Sequence, residues 1–262
     1  MKNYWTQSKD NIFVAAHRGW SAAYPENSMI AFQKAAELGV DQIELDIRVT
    51  KDDVLVVFHD ETVDRVSDGT GKVRDYTLEE LQKLDIGIKR GPEFAGTRIP
   101  TLVEFLEFVK TLPDMTVDFE FKEYDRGAPL SEPYKILCER VLALIAEYGL
   151  EDRCVVNSFG ANVHEYIRSQ YGDKYKHHVF FPADYNKNAT YDAYDYGYCC
   201  CVFDKNLENF EMLRNRGVRT WVGASVKDAE TVDWAIEMGA ELITCNNPDE
   251  VLRLLRERGK HQ

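Results

Sequence analysis

Two segments of the sequence place charged side chains at every second position between apolar residues. Alternate residues of a β-strand share one face, so each segment would have an apolar face and a charged face. The charged face carries Glu44, Asp46 and Arg48 in residues 42–49, and Asp118, Glu120 and Lys122 in residues 116–122. If the apolar faces pack against helices, the charged groups point into the interior of the sheet, where an unpaired carboxylate is costly.

Two interpretations account for these inward carboxylates. They could form an internal ion-pair network with Arg48 and Lys122. Alternatively, Glu44, Asp46 and Glu120 could hold a hard divalent cation whose remaining positions are filled by water or substrate oxygens. Because the candidate ligands are carboxylates, without Cys or paired His, we expect magnesium or calcium, with manganese as a further option, in preference to zinc.

Two histidines each end a short apolar run of the sequence. His17 ends the run VAAH, and His59 ends the run VVFH. If both runs are strands of one parallel barrel, both imidazoles lie at its C-terminal mouth, where catalytic groups are expected. Two imidazoles beside a carboxylate cluster can supply the acid and the base of one reaction. Arg18 offers a planar fork for a phosphate group and Lys122 a point charge.

The elements that would position these groups alternate between short β-rich runs and longer helical patterns. Such alternation indicates parallel strands that are covered by helices. The predicted strands span residues 12–16, 42–49, 116–122, 154–159, 177–181, 199–203, 218–222 and 242–245. The predicted helices span residues 28–38, 102–110, 133–148, 161–170, 207–216, 229–238 and 248–258. The helix that would follow the fifth strand has the weakest pattern.

Eight strand–helix units in one chain predict an α/β fold, a TIM-type (β/α)8 barrel, in preference to a doubly wound open sheet. After the second strand, approximately residues 60–98 are too long for a plain loop. We expect this segment to be a small insertion packed over one end of the barrel, with a short helix near residues 78–84. Since no linker or shift in composition divides the chain, residues 1–262 are expected to form a single domain.

The composition excludes several classes of protein. Hydrophobic residues make up 44% of the 262 residues, which is enough for a packed core. The formal charge is −13, and no basic stripe is visible, so nucleic acid is not an expected partner. No apolar run approaches the roughly 20 residues that a membrane span needs, and the N-terminus shows no secretory signal, so we expect a cytoplasmic protein. The six cysteines contain no C-x-x-C pair and are expected to be buried, reduced thiols.

Five tyrosines, interleaved with Asp and Asn, stand out in residues 185–198. The preferred interpretation of this segment is a surface loop. An aromatic rim over the substrate mouth, or a contact in a homo-oligomer, is the alternative.

Several short motifs occur in the order that is typical of one enzyme family. They are HRG at 17–19, YPENS at 24–28, ELD at 44–46, VFHD at 57–60 with Thr62, GTG at 69–71, RIPTL at 98–102 and EFK at 120–122. On these motifs the first half of the chain resembles the glycerophosphodiester phosphodiesterase family. The second half departs from the family pattern at two places. After Trp221 the sequence reads VGA, where the family usually has TVN, and ITCNNP at 243–248 replaces a more usual Thr-Asp before the proline.

The resemblance implies a phosphoric diester hydrolase with a TIM-like barrel and a bound divalent metal. Its substrates would be glycerophosphodiesters, such as deacylated phospholipids, and its products glycerol phosphate and an alcohol. The implied site has His17 and His59 as acid and base, Glu44, Asp46 and Glu120 as metal ligands, and Arg18, Lys122 and Trp221 as substrate contacts. In the mechanism usually proposed for the family, a glycerol hydroxyl attacks phosphorus and water then opens the cyclic phosphate.

Two other functions are compatible with the same barrel. A lyase would stop at the cyclic phosphate, and a non-catalytic barrel would only bind a phosphorylated ligand. Retention of both histidines and all three candidate ligands disfavours the binding barrel. The sequence does not determine which histidine is the acid, which metal is bound or which alcohol is released.

Overall fold

Strands and helices alternate along residues 4–262, the part of the chain that this computed structural model describes. The strands are β1 (Phe13–His17), β2 (Gln42–Val49), β3 (Leu55–Val57), β4 (Thr116–Phe121), β5 (Cys154–Asn157), β6 (Lys176–Phe181), β7 (Gly197–Val202), β8 (Arg219–Val222) and β9 (Leu242–Cys245). The α-helices are α1 (Met29–Leu38), α2 (Leu78–Leu81), α3 (Leu102–Lys110), α4 (Glu132–Glu147), α5 (Ala161–Tyr171), α6 (Leu207–Asn215), α7 (Ala229–Glu237) and α8 (Pro248–Glu257). None of these helices is long and apolar enough to span a membrane.

Eight parallel strands close into a barrel, which confirms the predicted TIM-type fold. Their order around the barrel is β1, β2, β4, β5, β6, β7, β8 and β9, and the barrel closes because β9 pairs with β1. The remaining strand, β3, pairs in antiparallel fashion with the end of β2. The register places Glu44 beside both His17 and Asp118, and Asp46 beside Glu120. Strand pairing alone therefore gathers the predicted chemistry on three neighbouring strands.

Apolar side chains fill three separate regions. The main core lies between the barrel and its helices, and includes Phe32, Phe105 and Phe119. The segment after β3 has its own core, made of Val56, Phe58, Val63, Val73, Leu81, Ile86 and Ile99. A third cluster consists of Phe13, Ala15, Val155, Cys199, Trp221 and Leu242. All six cysteines are buried and free of disulfides, as expected.

The segment between β6 and β7 differs from the sequence-based interpretation. No α-helix follows β6 in the described chain; two short 3-10 helices, Ala183–Tyr185 and Ala193–Asp195, take its place. Tyr194 and Tyr196 are buried, so the interpretation as a plain surface loop is wrong for this part of the segment. These rings occupy the position where a helix would otherwise cover the barrel.

A buried arginine satisfies the backbone that follows α3. The Arg153 side chain, only 6% exposed, donates hydrogen bonds to the carbonyl oxygens of Leu112 (2.6 Å), Met115 (2.8 Å) and Val109 (3.2 Å). Carbonyls at the C-terminal end of a helix have no partner within the helix, and a cation stabilises the negative end of its dipole. One side chain thus anchors the turn between α3 and β4.

We expect the substitution Arg153→Met to lower the free energy of unfolding by about 2–4 kcal/mol, because it removes three hydrogen bonds that a largely buried charged group donates to the backbone between α3 and β4. Urea denaturation measures this change. Arg253→Met, on the exposed face of α8, is the control and should cost no more than about 0.5 kcal/mol. Equal stability of the two variants would contradict the anchoring role.

Candidate active site

Three carboxylates from two neighbouring strands converge inside the barrel. Glu44 and Asp46 of β2 and Glu120 of β4 each offer an oxygen, and these oxygens all lie within 4.8 Å of one another. All three side chains are buried. The arrangement follows from strand parity, because the apolar residues between them face the helices on the outside of the barrel.

Asp46 is the carboxylate with the most complete set of partners. Lys122 Nζ lies 3.0 Å from Asp46 Oδ1, and Arg18 Nε lies 3.3 Å from Asp46 Oδ2. Asn27 Nδ2 donates a hydrogen bond of 2.7 Å to the same Oδ2. Burial opposes ionisation, but Lys122 and Arg18 outweigh it and hold the pKa of Asp46 well below its usual range.

The other two carboxylates are less well compensated. Burial, followed by the charges of Asp46 and Glu120, raises the pKa of Glu44 well above its usual value. Burial also raises the pKa of Glu120, although Lys122 pairs with it. Glu44 Oε2 accepts a hydrogen bond of 2.8 Å from the Arg18 backbone N–H, but Glu44 Oε1 has no hydrogen-bond partner within residues 4–262.

This residual negative charge fits a hard divalent cation. Three carboxylates face two cationic side chains, Arg18 and Lys122, so the cluster keeps a net charge of about −1 when fully ionised. Oxygen donors of this kind suit magnesium, calcium or manganese. A cation bound by Glu44, Asp46 and Glu120 would offset the cost of burying them.

The predicted internal ion-pair network is only half present. Lys122 pairs with the buried Asp46 and Glu120. Arg48 does not pair with them. Its guanidinium lies at the rim, where it donates to the His59 carbonyl at 2.8 Å and pairs with Glu123 at 3.1 Å. The expected inward pairing of Arg48 is wrong because its long side chain starts near the end of β2 and reaches the loops above.

His17 lies beside the carboxylate cluster and is held by an amide. Its Nδ1 is 2.7 Å from Asn246 Oδ1, so Nδ1 carries the proton and Nε2 is left with a lone pair. That Nε2 lies 4.0 Å from Glu44 Oε2. Burial, reinforced by the nearby Arg18 charge, lowers the pKa of His17 to about 4. The imidazole is therefore neutral at pH 7.

His59 is held by a carboxylate instead of an amide. Its Nδ1 lies 2.5 Å from Asp60 Oδ1. Burial lowers the pKa of His59, and the charges of Lys122 and Arg18 act in the same direction, whereas Asp46 and the hydrogen bond to Asp60 raise it. Asp60 opposes the shift, but the net direction is a lowered pKa, so the surroundings of both histidines disfavour the imidazolium form.

A chain of ion pairs connects the loops that carry the two histidines. Arg65, from the segment after β3, donates to Asp60 Oδ2 at 2.6 Å and to both carboxylate oxygens of Glu26. Glu26 in turn accepts a hydrogen bond of 3.0 Å from Arg18 Nη1. The insertion thereby fixes the His59 loop relative to the loop after β1.

The turn after β1 is strained and tightly packed. Arg18 has a positive φ of 57°, a conformation that is uncommon for a residue with a side chain. Gly19 has a φ of 76°, and a Cβ there would lie 2.7 Å from the Ala31 carbonyl carbon. Gly19 therefore allows α1 to approach the turn, which is a packing role and not a direct approach to a ligand. The turn aims the Arg18 N–H at Glu44.

The cluster and both histidines open into a cavity of about 280 Å³ with one aromatic side. Phe180 stacks on Phe159 with ring centroids 3.9 Å apart, and on Phe203 at 5.8 Å. Tyr185 contacts Phe203 at the rim, at 4.8 Å. Charged groups thus share the cavity with a row of aromatic faces. Among the five tyrosines of residues 185–198, Tyr185 is the one whose ring contacts this row, as the alternative expectation of an aromatic rim would require.

Seven of the eight predicted site residues lie in or directly beneath the mouth, and one lies deeper. Trp221 is fully buried below the cavity, in the cluster with Phe13 and Leu242. Its ring contacts that of His178, with centroids 5.0 Å apart, and it does not line the cavity. A position beneath His178 gives no support to a direct substrate contact by Trp221.

Sequence reasoning missed several residues that orient the site. Asn246, which binds His17, belongs to one of the departures from the family pattern, 229 residues away along the chain. Arg65 lies in the insertion and had no local signal. Asp118 accepts a hydrogen bond of 2.7 Å from His178 Nδ1, so it is paired outside the cluster. Because Asp118 lies beside Glu44 in the strand register, its position on β4 could not have indicated this pairing with His178.

Comparison with known proteins agrees with this geometry. Residues 17–250 match the sequence model of the glycerophosphoryl diester phosphodiesterase family. A glycerophosphodiester phosphodiesterase of Caldanaerobacter subterraneus is 50% identical over 146 residues, which cover 56% of this chain and 57% of that protein. One from Bacillus altitudinis is 40% identical over the same shares of the two chains. The alignments thus span little more than half of these relatives' length.

Solved structures extend the similarity in fold over nearly the whole chain. A glycerophosphoryl diester phosphodiesterase from Parabacteroides distasonis is 26% identical, with a TM-score of 0.73, over 97% of this chain and 90% of that chain. An Oleispira antarctica phosphodiesterase, solved in complex with the product sn-glycerol-3-phosphate, is 20% identical with a TM-score of 0.79, over 93% and 96% of the two chains. The resemblance drawn from the sequence motifs is confirmed: this chain belongs to the glycerophosphoryl diester phosphodiesterase family.

Proposed function

We propose that this protein hydrolyses glycerophosphodiesters to glycerol phosphate and an alcohol with the aid of one divalent cation. The observation that carries the proposal is the pair of imidazoles with different partners, His17 with Asn246 and His59 with Asp60, in one cavity with the carboxylate cluster. An acid and a base on either side of an anion site are the groups that phosphodiester cleavage needs.

The cluster supplies the electrostatic part of the reaction. Glu44, Asp46 and Glu120 would hold magnesium, calcium or manganese, and the cation would neutralise charge on the nonbridging phosphate oxygens as it builds in the transition state. Arg18 and Lys122 stand beside these ligands and add positive charge at the same point. Both side chains are held by Asp46, so little ordering is required when the substrate arrives.

The partners of the histidines assign the first proton transfers. His17 Nε2, with its lone pair free, accepts the proton of the glycerol hydroxyl that attacks phosphorus. His59 would enter the reaction protonated, with Asp60 holding its Nδ1–H, and would donate its Nε2 proton to the oxygen of the departing alcohol. One P–O bond forms and one breaks, which leaves a cyclic glycerol phosphate.

The roles of the histidines reverse in the second stage. His59, now neutral, accepts a proton from water, and the resulting hydroxide attacks the cyclic phosphate. His17, now protonated, returns its proton to the glycerol oxygen as the ring opens. Each imidazole ends in the state in which it began, so the cycle needs no external acid or base.

Removal of the cation or of its ligands should abolish turnover. We expect a chelator to stop hydrolysis of glycerophosphoethanolamine reversibly, and His17→Ala and Glu44→Gln to lower kcat/KM by about 10²- to 10⁴-fold. Release of ethanolamine measures the rate. Asp233→Asn, on the outer face of α7, is the control and should turn over normally. If Glu44→Gln turned over normally in the presence of chelator, the metal assignment would be wrong.

The nature of the leaving group should separate the acid from the base. p-Nitrophenolate leaves without protonation, so His59→Ala should retain most of its kcat/KM on glycerol p-nitrophenyl phosphate but lose about 10²-fold or more on glycerophosphoethanolamine. His17→Ala should lose activity on both substrates, because the attacking hydroxyl still needs a base. If His17→Ala instead retained activity on the p-nitrophenyl substrate and His59→Ala lost it, the two roles would be exchanged. If each variant lost the same activity on both substrates, neither histidine would act as the acid.

Phosphorus NMR distinguishes a hydrolase from a lyase. A hydrolase converts glycerophosphoethanolamine to glycerol phosphate, with the cyclic phosphate seen at most transiently. We expect glycerol phosphate to be the final product, since His59 is well placed to activate water once the alcohol has left. Persistence of the cyclic phosphate would reject the hydrolase and support a lyase.

A further inference from the structure

A second depression shares one lining residue, Lys122, with the catalytic cavity. This depression, called here the side groove, has a volume of about 600 Å³ and lies between residues 61–75 of the insertion and residues 123–126 after β4. Its lining is mostly charged, in contrast to the aromatic side of the catalytic cavity. Lys122 is therefore flanked by two depressions of different chemistry.

Most of the carboxylates on the side groove are already engaged by other groups. Glu61 pairs with Lys72 at 2.7 Å, and Glu123 pairs with Arg48 at 3.1 Å. The Asp125 carboxylate accepts hydrogen bonds from the backbone N–H and hydroxyl of Ser131. The ion pairs neutralise Glu61 and Glu123, whereas Asp125 keeps its charge because its partners are neutral.

Two arginines of the side groove are not engaged in this way. Arg74, from the insertion, and Arg126, from the loop after β4, form no ion pair with any of residues 4–262. Both are exposed, and they lie on the two segments that border the groove. Asp75 and Asp125 are the carboxylates of the lining that have no ion pair within the described chain. Two free guanidiniums thus face two unpaired carboxylates, and the guanidiniums are the groups that can donate to an anionic ligand.

The side groove is also linked, through Arg48, to the loop that carries His59. Arg48, which lines the groove, donates its Nε hydrogen to the His59 carbonyl. The two ester arms of a phosphodiester diverge from phosphorus, so a phosphate near Lys122 can send one arm into each opening. The arm that receives a proton from His59 would be the one that enters the groove.

We propose that the side groove binds the leaving alcohol, and that Arg74 and Arg126 favour head groups that carry an oxyanion. This proposal rests on the proposed hydrolase function. Planar guanidiniums recognise carboxylate or phosphate oxygens in a bidentate manner, which an ammonium or a hydroxyl group cannot reproduce. Serine, which is ethanolamine with an added carboxylate, is the simplest head group of this class.

The test compares glycerophosphoserine with glycerophosphoethanolamine, two substrates that differ only in that carboxylate. We expect the ratio of their kcat/KM values, serine over ethanolamine, to fall about tenfold in the double variant R74A/R126A. The ethanolamine rate of the same variant corrects for any loss of folded protein. The control R253A/R256A removes the same charge from the distal half of α8 and should keep the wild-type ratio.

A second pair of substrates identifies the oxyanion. Glycerophosphoinositol, compared with and without a ring phosphate, tests recognition of a phosphate group. The serine and ethanolamine substrates test recognition of a carboxylate in the same way. The proposal is supported if the ratio of kcat/KM values within either substrate pair depends on the two arginines. A fall of that ratio at high salt would match an exposed ionic contact. Unchanged ratios in both pairs would overturn it while leaving hydrolysis established. Failure to cleave any of the four substrates would reject the hydrolase itself.

Discussion

The burial of three carboxylates inside a closed barrel is the constraint on which the other features of the site depend. Glu44, Asp46 and Glu120 must face inward because their apolar neighbours cover the outside of the same strands. Such a cluster is unstable without compensation. Part of the compensation comes from Arg18 and Lys122, which converge on Asp46. The remaining negative charge is the basis for proposing a divalent cation at the cluster.

The two histidines are arranged around the same cluster by contacts between distant parts of the chain. Asn246, after the last strand, fixes the proton on His17, while Asp60 holds Nδ1 of His59. Arg65 connects Asp60 to Glu26 and so ties the insertion to the first loop. The insertion therefore has a structural purpose beyond covering the barrel: it holds one imidazole in place and forms one wall of the side groove.

Local sequence patterns predicted the elements well where the pattern is complete within a short segment. The bounds of β2 and β9 agree with the prediction, as do those of α3, which begins with a capping box between Thr101 and Glu104. The carboxylate cluster could be predicted for the same reason, since the alternation of side chains along a strand is a local pattern. Closure of the barrel is not local, so the contact of His17 with Asn246 and the depth of Trp221 could not be read from spacing. The lack of an α-helix after β6 agrees with the weak local pattern there, but the burial of Tyr194 and Tyr196 could not be read from that pattern.

The central claim is that the buried carboxylates hold a cation beside the two histidines. Crystals of the protein grown with manganese would test it directly, because manganese gives an anomalous signal that locates the ion without reference to activity. The account predicts one strong peak among Glu44, Asp46 and Glu120, within about 2.0–2.6 Å of an oxygen of each. A cluster without a peak, or an ion bound only elsewhere, would contradict it.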